Sequence, residues 1–291
     1  MKQLFFFSLF LFSISLYSQC NSVLWEISGK DCKQPSYLFG TFHLRDSRIF
    51  NFPDSVNILR NKCSVLAFEI VIDKSDAKEL LAQIMETDPN HYLDKILSKS
   101  DYKKVKKAAK KHLDIASNML LDKMKPIILA TQLFESMSKN DVKYPMDLQF
   151  QMEGRELGKI IVGLESIESQ MQLINKMKSE EQIKELMMSV DSLETSPTVI
   201  NQMVNLYLNQ NLDSLNSFLN SKSTIDSSFQ EDLIDNRNIV MTKQLTQFYL
   251  KEGSCFVAVG AGHLVGEKGI IELLRKQGYT VRAVRSSFSK N

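Results

Sequence analysis

Short apolar runs, rich in valine, isoleucine and phenylalanine, occur in this chain, most of them near its two ends. The sequence between the two ends has mainly helical periodicity. Such runs, bounded by glycine, proline or charged residues, are typical of buried β-strands. Because a sheet must gather its strands, the two ends of the chain have to meet. The sequence therefore predicts an α/β fold with a central mixed sheet built from the N- and C-terminal parts. The predicted strands are Val23–Ser28, Tyr37–Phe42, Val65–Glu69, Ile160–Leu164, Cys255–Val259 and Tyr279–Val284.

Periodic apolar positions predict helices through most of the remaining chain. Prolines are expected to interrupt the long helical middle, because proline fits the first turn of a helix and not its interior. We expect residues 21–291 to form a single domain with a large helical insertion at about 75–158. Helices are predicted at about 54–61, through 75–158 with breaks near Pro89, Pro126 and Pro145, through 167–249, and over 266–277.

The N-terminus has the pattern of a cleavable export signal. Lys2 supplies one positive charge, and Leu4–Leu16 is apolar apart from three serines. This run is shorter than the roughly 20 apolar residues that span a bilayer, and polar sequence follows it. We therefore predict a signal peptide over residues 1–20 and a mature chain that is exported, either periplasmic or secreted. A buried first helix is the alternative, but the run leaves no polar face for one.

Four cysteines raise questions of anchoring and pairing. Cys20 could be a lipidated first residue instead of a cleavage-site residue, which would make the protein a lipoprotein. An oxidising compartment permits a disulfide, and the sequence leaves the pairing open. The lack of a CxxC motif argues against a zinc knuckle or a thioredoxin-type redox site. The four residues are Cys20, Cys32, Cys63 and Cys255.

The charge of the chain is nearly balanced, with 36 basic and 34 acidic residues. A near-neutral chain offers no strong field for nucleic acid or anionic lipid. The densest basic stretch, Lys103–Lys111, alternates with apolar residues at helical spacing, so we interpret its lysines as the solvated face of a helix. We expect a peptide or small-molecule ligand, no nucleic acid and no transmembrane segment in the mature chain.

A histidine or a carboxylate follows each of four predicted buried strands. The second strand leads into Gly40-Thr41-Phe42-His43, and the fifth leads into Gly260-Ala261-Gly262-His263. Glu69 and Glu165 end the two strands between them. Since ligand sites of open α/β sheets lie at the carboxyl ends of the strands, we expect these side chains to share one rim.

The repeated GxxH pattern points to metal or acid–base chemistry. Glycine permits a close backbone approach that a Cβ would block, and neutral imidazole is a common metal ligand and general base. Two histidines and a carboxylate with one open position form a catalytic zinc-type site. His43, His263 and Glu69 are therefore the predicted metal ligands, with Gly40 and Gly260 as the motif glycines. The alternative is that each histidine is structural.

The chain resembles the TraB/GumN family, which includes the Tiki proteases, over nearly all of its mature part. The first motif reads GTFH where GTIH is commoner in the family. The segments that carry the resemblance are Leu24-Trp25-Glu26-Ile27-Ser28-Gly29, Pro35-Ser36-Tyr37-Leu38-Phe39-Gly40-Thr41-Phe42-His43, Phe52-Pro53-Asp54, Phe68-Glu69-Ile70, Met146-Asp147-Leu148, Gly163-Leu164-Glu165-Ser166, Arg237-Asn238 and Val257-Ala258-Val259-Gly260-Ala261-Gly262-His263-Leu264-Val265-Gly266.

The resemblance implies a functional core of two GxxH motifs, a glutamate and an arginine, which fall on His43, His263, Glu69 and Arg237. For the Tiki branch it implies a metal-dependent peptidase supported by manganese or cobalt, with zinc suggested by the ligand types alone. The fold it implies is similar to ChaN-type haem-binding proteins and erythromycin esterases. A non-catalytic binder of a peptide or a haem-like ligand in the same crevice is therefore the alternative function.

Three further residues have two interpretations each. Arg237 either clamps a substrate carboxylate or stabilises an oxyanion, or is an exposed helix arginine. Asp147 is either an N-cap or a hydrogen-bond partner that orients a metal-binding histidine. Glu165 is either part of the site or simply the end of its strand. The absence of an HExxH motif excludes the common zincin arrangement, and the absence of GxSxG argues against a serine esterase.

The export prediction is tested by N-terminal sequencing of the protein recovered outside the cytoplasm. We expect the sequence to begin just after Ser18–Cys20, because the charge, the short apolar run and the polar exit favour cleavage there. An intact Met1 on the mature protein would contradict the prediction, and fatty acid on Cys20 would support the lipoprotein alternative.

Overall fold

A six-stranded mixed sheet, in the order β4-β3-β5-β2-β1-β6, lies at the centre of the fold. The computed structural model describes residues 22–73, 77–193, 196–222, 227–251, 254–285 and 288. The predicted signal peptide and Cys20 lie outside these residues. The strands are β1 (Leu24–Ser28), β2 (Ser36–Thr41), β3 (Val65–Phe68), β4 (Ile160–Gly163), β5 (Cys255–Gly260) and β6 (Thr280–Ala283).

Parallel pairing joins the two ends of the chain. β5 pairs in parallel with both β2 and β3, and β4 pairs in parallel with β3. β1 is antiparallel to its neighbours β2 and β6. All residues of β5 except Gly260 are buried, as a central strand covered on both faces requires. The predicted α/β class and mixed sheet are confirmed.

Helices cover the sheet and extend beyond it. Pro126 is the first residue of one helix and Pro145 caps another, so these two prolines stand at the predicted interruptions. The helices are α1 (Asp54–Lys62), α2 (Ala77–Ile84), α3 (Leu93–Ile96), α4 (Lys99–His112), α5 (Ile115–Met119), α6 (Pro126–Ser136), α7 (Met146–Glu156), α8 (Ile167–Lys176), α9 (Ser179–Ser192), α10 (Ser196–Leu208), α11 (Leu212–Lys222), α12 (Ser227–Gln230), α13 (Arg237–Gln244) and α14 (Ile270–Lys276).

Two hydrophobic clusters form the interior. The larger one contains the sheet, and Phe150 of α7 packs in it against Phe39 and Phe256, with ring centroids 5.9 and 6.4 Å away. The smaller one joins α3, α4 and α6 to Leu186 of α9. Helices of the middle region therefore have a core of their own, whereas α7 belongs with the sheet. The division into one domain with an insertion at about 75–158 stays a prediction.

The helical path before β5 contains two π-helical segments. Glu231–Asn236 precedes α13 and Leu245–Tyr249 follows it. A π-helical turn inserts an extra residue and changes the angular position of the side chains that follow it. The first segment ends immediately before Arg237, so it sets the direction in which that side chain leaves the helix.

Some predicted features differ in detail from the structure. The last helix begins at Ile270 and not near Gly266, which has a φ of 88° that favours glycine and suits a turn. Cys32, Cys63 and Cys255 are free, and Ser254 Oγ donates to Cys63 Sγ at 2.9 Å. None of the helices in the described ranges has the length and apolar character needed to cross a membrane.

Candidate active site at the carboxyl ends of four strands

The carboxyl ends of β2, β5, β3 and β4 lie side by side at one edge of the sheet. His43 lies two residues after β2, and His263 lies three residues after β5. Glu69 directly follows β3, and Glu165 lies two residues after β4. Parallel pairing thus collects side chains from distant parts of the sequence, as strand ends of an open α/β sheet generally do.

Glu69 stands at the centre of the site. Its Oε1 accepts a hydrogen bond from the Gly260 amide at 2.7 Å, and its Oε2 accepts one from Arg237 Nη2 at 2.5 Å. A Cβ at Gly260 would lie 3.1 Å from Glu69 Oε1 and 3.8 Å from His43 Nε2. A side chain at this position would therefore crowd the Glu69 carboxylate, which would have to shift by a few tenths of an ångström.

His263 is held in one tautomer by Asn238. Its Nδ1 lies 2.7 Å from Asn238 Oδ1, and Asn238 Nδ2 donates to the Lys268 carbonyl at 3.0 Å. Because the amide nitrogen is used at Lys268, the amide oxygen must accept from the imidazole, so we assign the proton to Nδ1. The lone pair of Nε2 then faces Glu69 Oε1, 3.7 Å away. Burial lowers the pKa of His263 and favours this neutral form.

His43 occupies the open side of the site. Its Nδ1 lies 3.2 Å from Asp147 Oδ2, and Thr41 Oγ1 donates to Asp147 Oδ1 at 2.8 Å. Asp147 raises the pKa of His43, an effect weakened by solvent because the side chain is 54% exposed. With Nδ1 directed to Asp147, Nε2 is the nitrogen on the Gly260 side, 3.8 Å from the place where a Cβ of Gly260 would lie.

Arg237 joins two carboxylates. Its Nε and Nη2 donate to Glu165 Oε2 at 2.9 and 2.8 Å, while Nη2 also donates to Glu69. Nη1 donates to the Leu233 carbonyl within the preceding π-helical segment at 3.1 Å. The side chain is only 16% exposed, so it is not a solvated helix arginine. Its guanidinium therefore holds Glu69, after β3, and Glu165, after β4, in fixed positions relative to α13.

The charge on Glu69 is strongly stabilised. Burial alone would raise the pKa of this carboxyl, but His263, Arg237, His43 and the Gly260 amide act against burial and lower the pKa to about 2. Glu69 is therefore ionised at neutral pH. The site presents a buried anion between a buried neutral histidine and a histidine open to solvent.

The structure brings the six residues singled out in the sequence to one place. Asp147 lies in the first turn of α7, whose N-cap is Pro145, so its contact is with a histidine and it does not cap the helix. Glu165 pairs with Arg237. The remaining histidines, His91 and His112, belong to the helical region outside the site. The six residues are His43, Glu69, Asp147, Glu165, Arg237 and His263.

Sequence reasoning gave no role to Asn238, Thr41 or Tyr207. Asn238 and Thr41 stand inside the quoted motifs, next to residues that were singled out, so adjacency was the available signal. Tyr207 is buried, donates to the Gly40 carbonyl at 2.7 Å and stacks on Phe42 with centroids 5.3 Å apart. It supports the turn that carries His43, and nothing in its helical sequence context indicates this.

The donor atoms of the site are of the kind that binds a divalent metal ion, but they are not spaced to hold one. Within the described ranges, no group of three or more His, Cys, Asp or Glu side chains is arranged to hold an ion. Both histidines nevertheless direct Nε2 toward Glu69 and have Nδ1 on an oxygen acceptor, as metal-ligating histidines generally do. Each carboxylate oxygen also has a second lone pair beyond the one used in its hydrogen bond. The donor types therefore fit, and ligation would require the exposed His43 to move closer.

A groove of about 600 Å³ adjoins the site between α8 and α13. Glu165 and Arg237 line it together with Leu173, Val240 and Gln244. A larger cavity of about 760 Å³ lies by β6 and α14 and contains none of the six site residues. Of these two spaces, only the smaller groove is lined by site residues, and these are Glu165 and Arg237.

The chain belongs to the TraB/PrgY/gumN family, whose model matches residues 23–283. It is similar to metalloprotease TIKI1 of Xenopus tropicalis, with 26% identity over 91% of this chain and 62% of that protein. Metalloprotease TIKI2 of Danio rerio is 24% identical, over 90% of this chain and 60% of its own length. Human metalloprotease TIKI1 is 23% identical, over 91% and 62%. No solved structure matches the chain.

The chain spans about three-fifths of the length of these curated relatives. The match to the family model confirms the predicted family. The predicted likeness to ChaN-type proteins and erythromycin esterases stays a prediction.

The ionised state of Glu69 makes a prediction for stability against pH. The folded-state pKa of Glu69 is about 2, against 4.5 for the ordinary carboxyl. Ionised Glu69 therefore stabilises the fold above about pH 4.5, and this stabilisation is lost as the pH falls toward 2. This contribution is about 3 kcal/mol. In urea unfolding from about pH 6 to about pH 2, the difference in unfolding free energy between wild type and Glu69→Gln should shrink by that amount. The exposed Glu267→Gln variant is the control, and parallel pH dependence of wild type and Glu69→Gln would disprove the assignment.

Proposed function

We propose that this chain is an exported, metal-dependent hydrolase that cleaves peptides. The observation that carries the proposal is that His43 and His263, each from a GxxH motif, direct Nε2 toward the same ionised Glu69. Family membership and the similarity to proteins named metalloproteases support the reaction class. Export rests on the N-terminal sequence pattern.

His43, His263 and Glu69 would hold the ion, which we propose to be manganese, cobalt or zinc. When bound, such an ion supplies a water molecule acidic enough to form hydroxide near neutral pH. Asn238 and Asp147 keep the two imidazoles in the tautomer that leaves Nε2 available. These two residues are positioning residues, because each acts on the site through a histidine.

Access to the site is from one side. His263 and Glu69 have side chains only 6% and 14% exposed, whereas that of His43 is 54% exposed. A substrate therefore approaches past His43, and the groove between α8 and α13 is the space we assign to one arm of the peptide. The low exposure of Glu69 and His263 strengthens electrostatic interactions with the reacting group.

Arg237 has two parts in the proposal. It keeps Glu69 ionised and correctly placed, which its bonds to Glu69 and Glu165 support directly. It also supplies positive charge next to the site, where negative charge develops on a carbonyl oxygen under attack. Removing Arg237 should therefore affect both ligand binding and turnover.

The central test compares His43→Ala, His263→Ala and the double variant. If both histidines hold one ion, each single change should remove most bound metal and most hydrolysis, and the double variant should be scarcely worse. The measurements are metal content by mass spectrometry and cleavage of a peptide library, after circular dichroism shows that each variant is folded. His91→Ala is the matched control, since its side chain is 62% exposed outside the site.

Full metal occupancy and wild-type turnover in either single variant would contradict a shared site. Metal binding by wild type that depends on both histidines, without cleavage of any peptide, would instead favour the non-catalytic binder of a peptide or haem-like ligand.

A further inference from the structure

Helix α4 concentrates positive charge. Its fourteen residues include seven lysines and one aspartate, on a chain whose formal net charge is only +2. The rest of the molecule is therefore acidic overall, and α4 is the strongest local exception. The lysines are Lys99, Lys103, Lys104, Lys106, Lys107, Lys110 and Lys111.

The lysines of α4 face solvent. The helix buries Val105, Ala108 and Ala109 against the smaller hydrophobic cluster, which leaves all seven lysines exposed. Lys104 pairs with Asp191 at 3.2 Å. Within the described residues, Lys103, Lys107 and Lys110 form no ion pair. Most of the positive charge is thus not neutralised by the protein itself.

Two large apolar side chains stand directly beside this charge. Ile115 and Met119 of α5 are one helical turn apart, on the same face, and each is 82% exposed. Other exposed large hydrophobic side chains in the described part of the chain reach at most 61%. Asn118 Nδ2 donates to the Ala109 and Leu113 carbonyls at 3.1 Å, which fixes α5 against the end of α4.

Lysines alone are compatible with a solvated helix face, as the sequence suggested, but solvation does not account for Ile115 and Met119. Apolar side chains held outward beside a row of lysines are the pattern of a surface that rests on a membrane. The lysines meet anionic headgroups, and the apolar pair reaches the acyl boundary below them. An anionic bilayer offers both layers over a broad surface.

We propose that the α4–α5 surface, formed by the seven lysines, Ile115 and Met119, docks on an anionic lipid membrane. The inference is independent of the hydrolytic activity. Asp114, the N-cap of α5, lies close enough to Arg45 to interact with it electrostatically, and Arg45 is two residues from His43.

The test is sedimentation of the full chain with vesicles of phosphatidylcholine alone or mixed with phosphatidylglycerol. Wild type should bind the mixed vesicles more tightly, with the preference lost as salt rises. The N-terminal apolar segment is common to all variants, and its contribution is measured on the neutral vesicles. Lys103→Glu/Lys107→Glu/Lys110→Glu should weaken binding to the mixed vesicles by about a hundredfold, since each of the three lysines contributes roughly fivefold.

The apolar pair is tested separately. Ile115→Ser/Met119→Ser should also weaken binding. Brominated lipid should quench the fluorescence of a Met119→Trp variant. It should not quench the fluorescence of wild type, whose one tryptophan is Trp25. Two sets of exposed residues elsewhere are the matched controls: Lys62→Glu/Lys178→Glu/Lys243→Glu for charge, and Ile58→Ser/Leu157→Ser for apolar area. Circular dichroism checks the fold of every variant.

Equal binding of wild type to the two kinds of vesicle would overturn the proposal, as would equal losses in the control variants or no quenching at Met119→Trp. If Ile115→Ser/Met119→Ser weakens the binding of a peptide ligand while vesicle binding is unchanged, the surface recognises protein and the lipid proposal is wrong.

Discussion

Glu69 carries a negative charge directly after a strand of buried hydrophobic residues, and compensation of that charge determines the arrangement around it. A buried carboxylate without partners is unfavourable by several kcal/mol. Here β5 supplies an amide from Gly260 and α13 supplies Arg237, while the turn after β5 places His263 Nε2 3.7 Å from Glu69 Oε1. Elements far apart in the sequence thus meet at one pair of carboxylate oxygens.

Further contacts orient the two histidines beside Glu69. Asn238 Oδ1 is hydrogen-bonded to His263 Nδ1, and Asp147 Oδ2 lies 3.2 Å from His43 Nδ1. Asn238 and Asp147 are themselves fixed, by the Lys268 carbonyl and by Thr41. In both GxxH motifs an oxygen from another element, α7 or α13, therefore faces the Nδ1 of the histidine. A ligand held between the two Nε2 atoms requires this orientation of both rings.

How much of this could be predicted depends on the kind of interaction. The strands and the shared rim follow from short apolar runs and from the rule that parallel strands present their carboxyl ends together. The pairing of Arg237 with both Glu69 and Glu165 could not be predicted from spacing, because a π-helical segment shifts the direction of its side chain. Tyr207 and Asn238 act through tertiary contacts, which helical periodicity does not predict. The exposure of Ile115 and Met119 was likewise hidden, since apolar residues at helical spacing ordinarily predict burial.

The central claim is that His43, His263 and Glu69 form one ligand-binding unit. Its most direct test is a crystal structure of the protein soaked in manganese, with anomalous diffraction used to locate the ion. A single anomalous peak is expected between the two Nε2 atoms and Glu69, within coordination distance of all three side chains. A fully occupied ion bound elsewhere, or bound by only one of the two histidines, would contradict it.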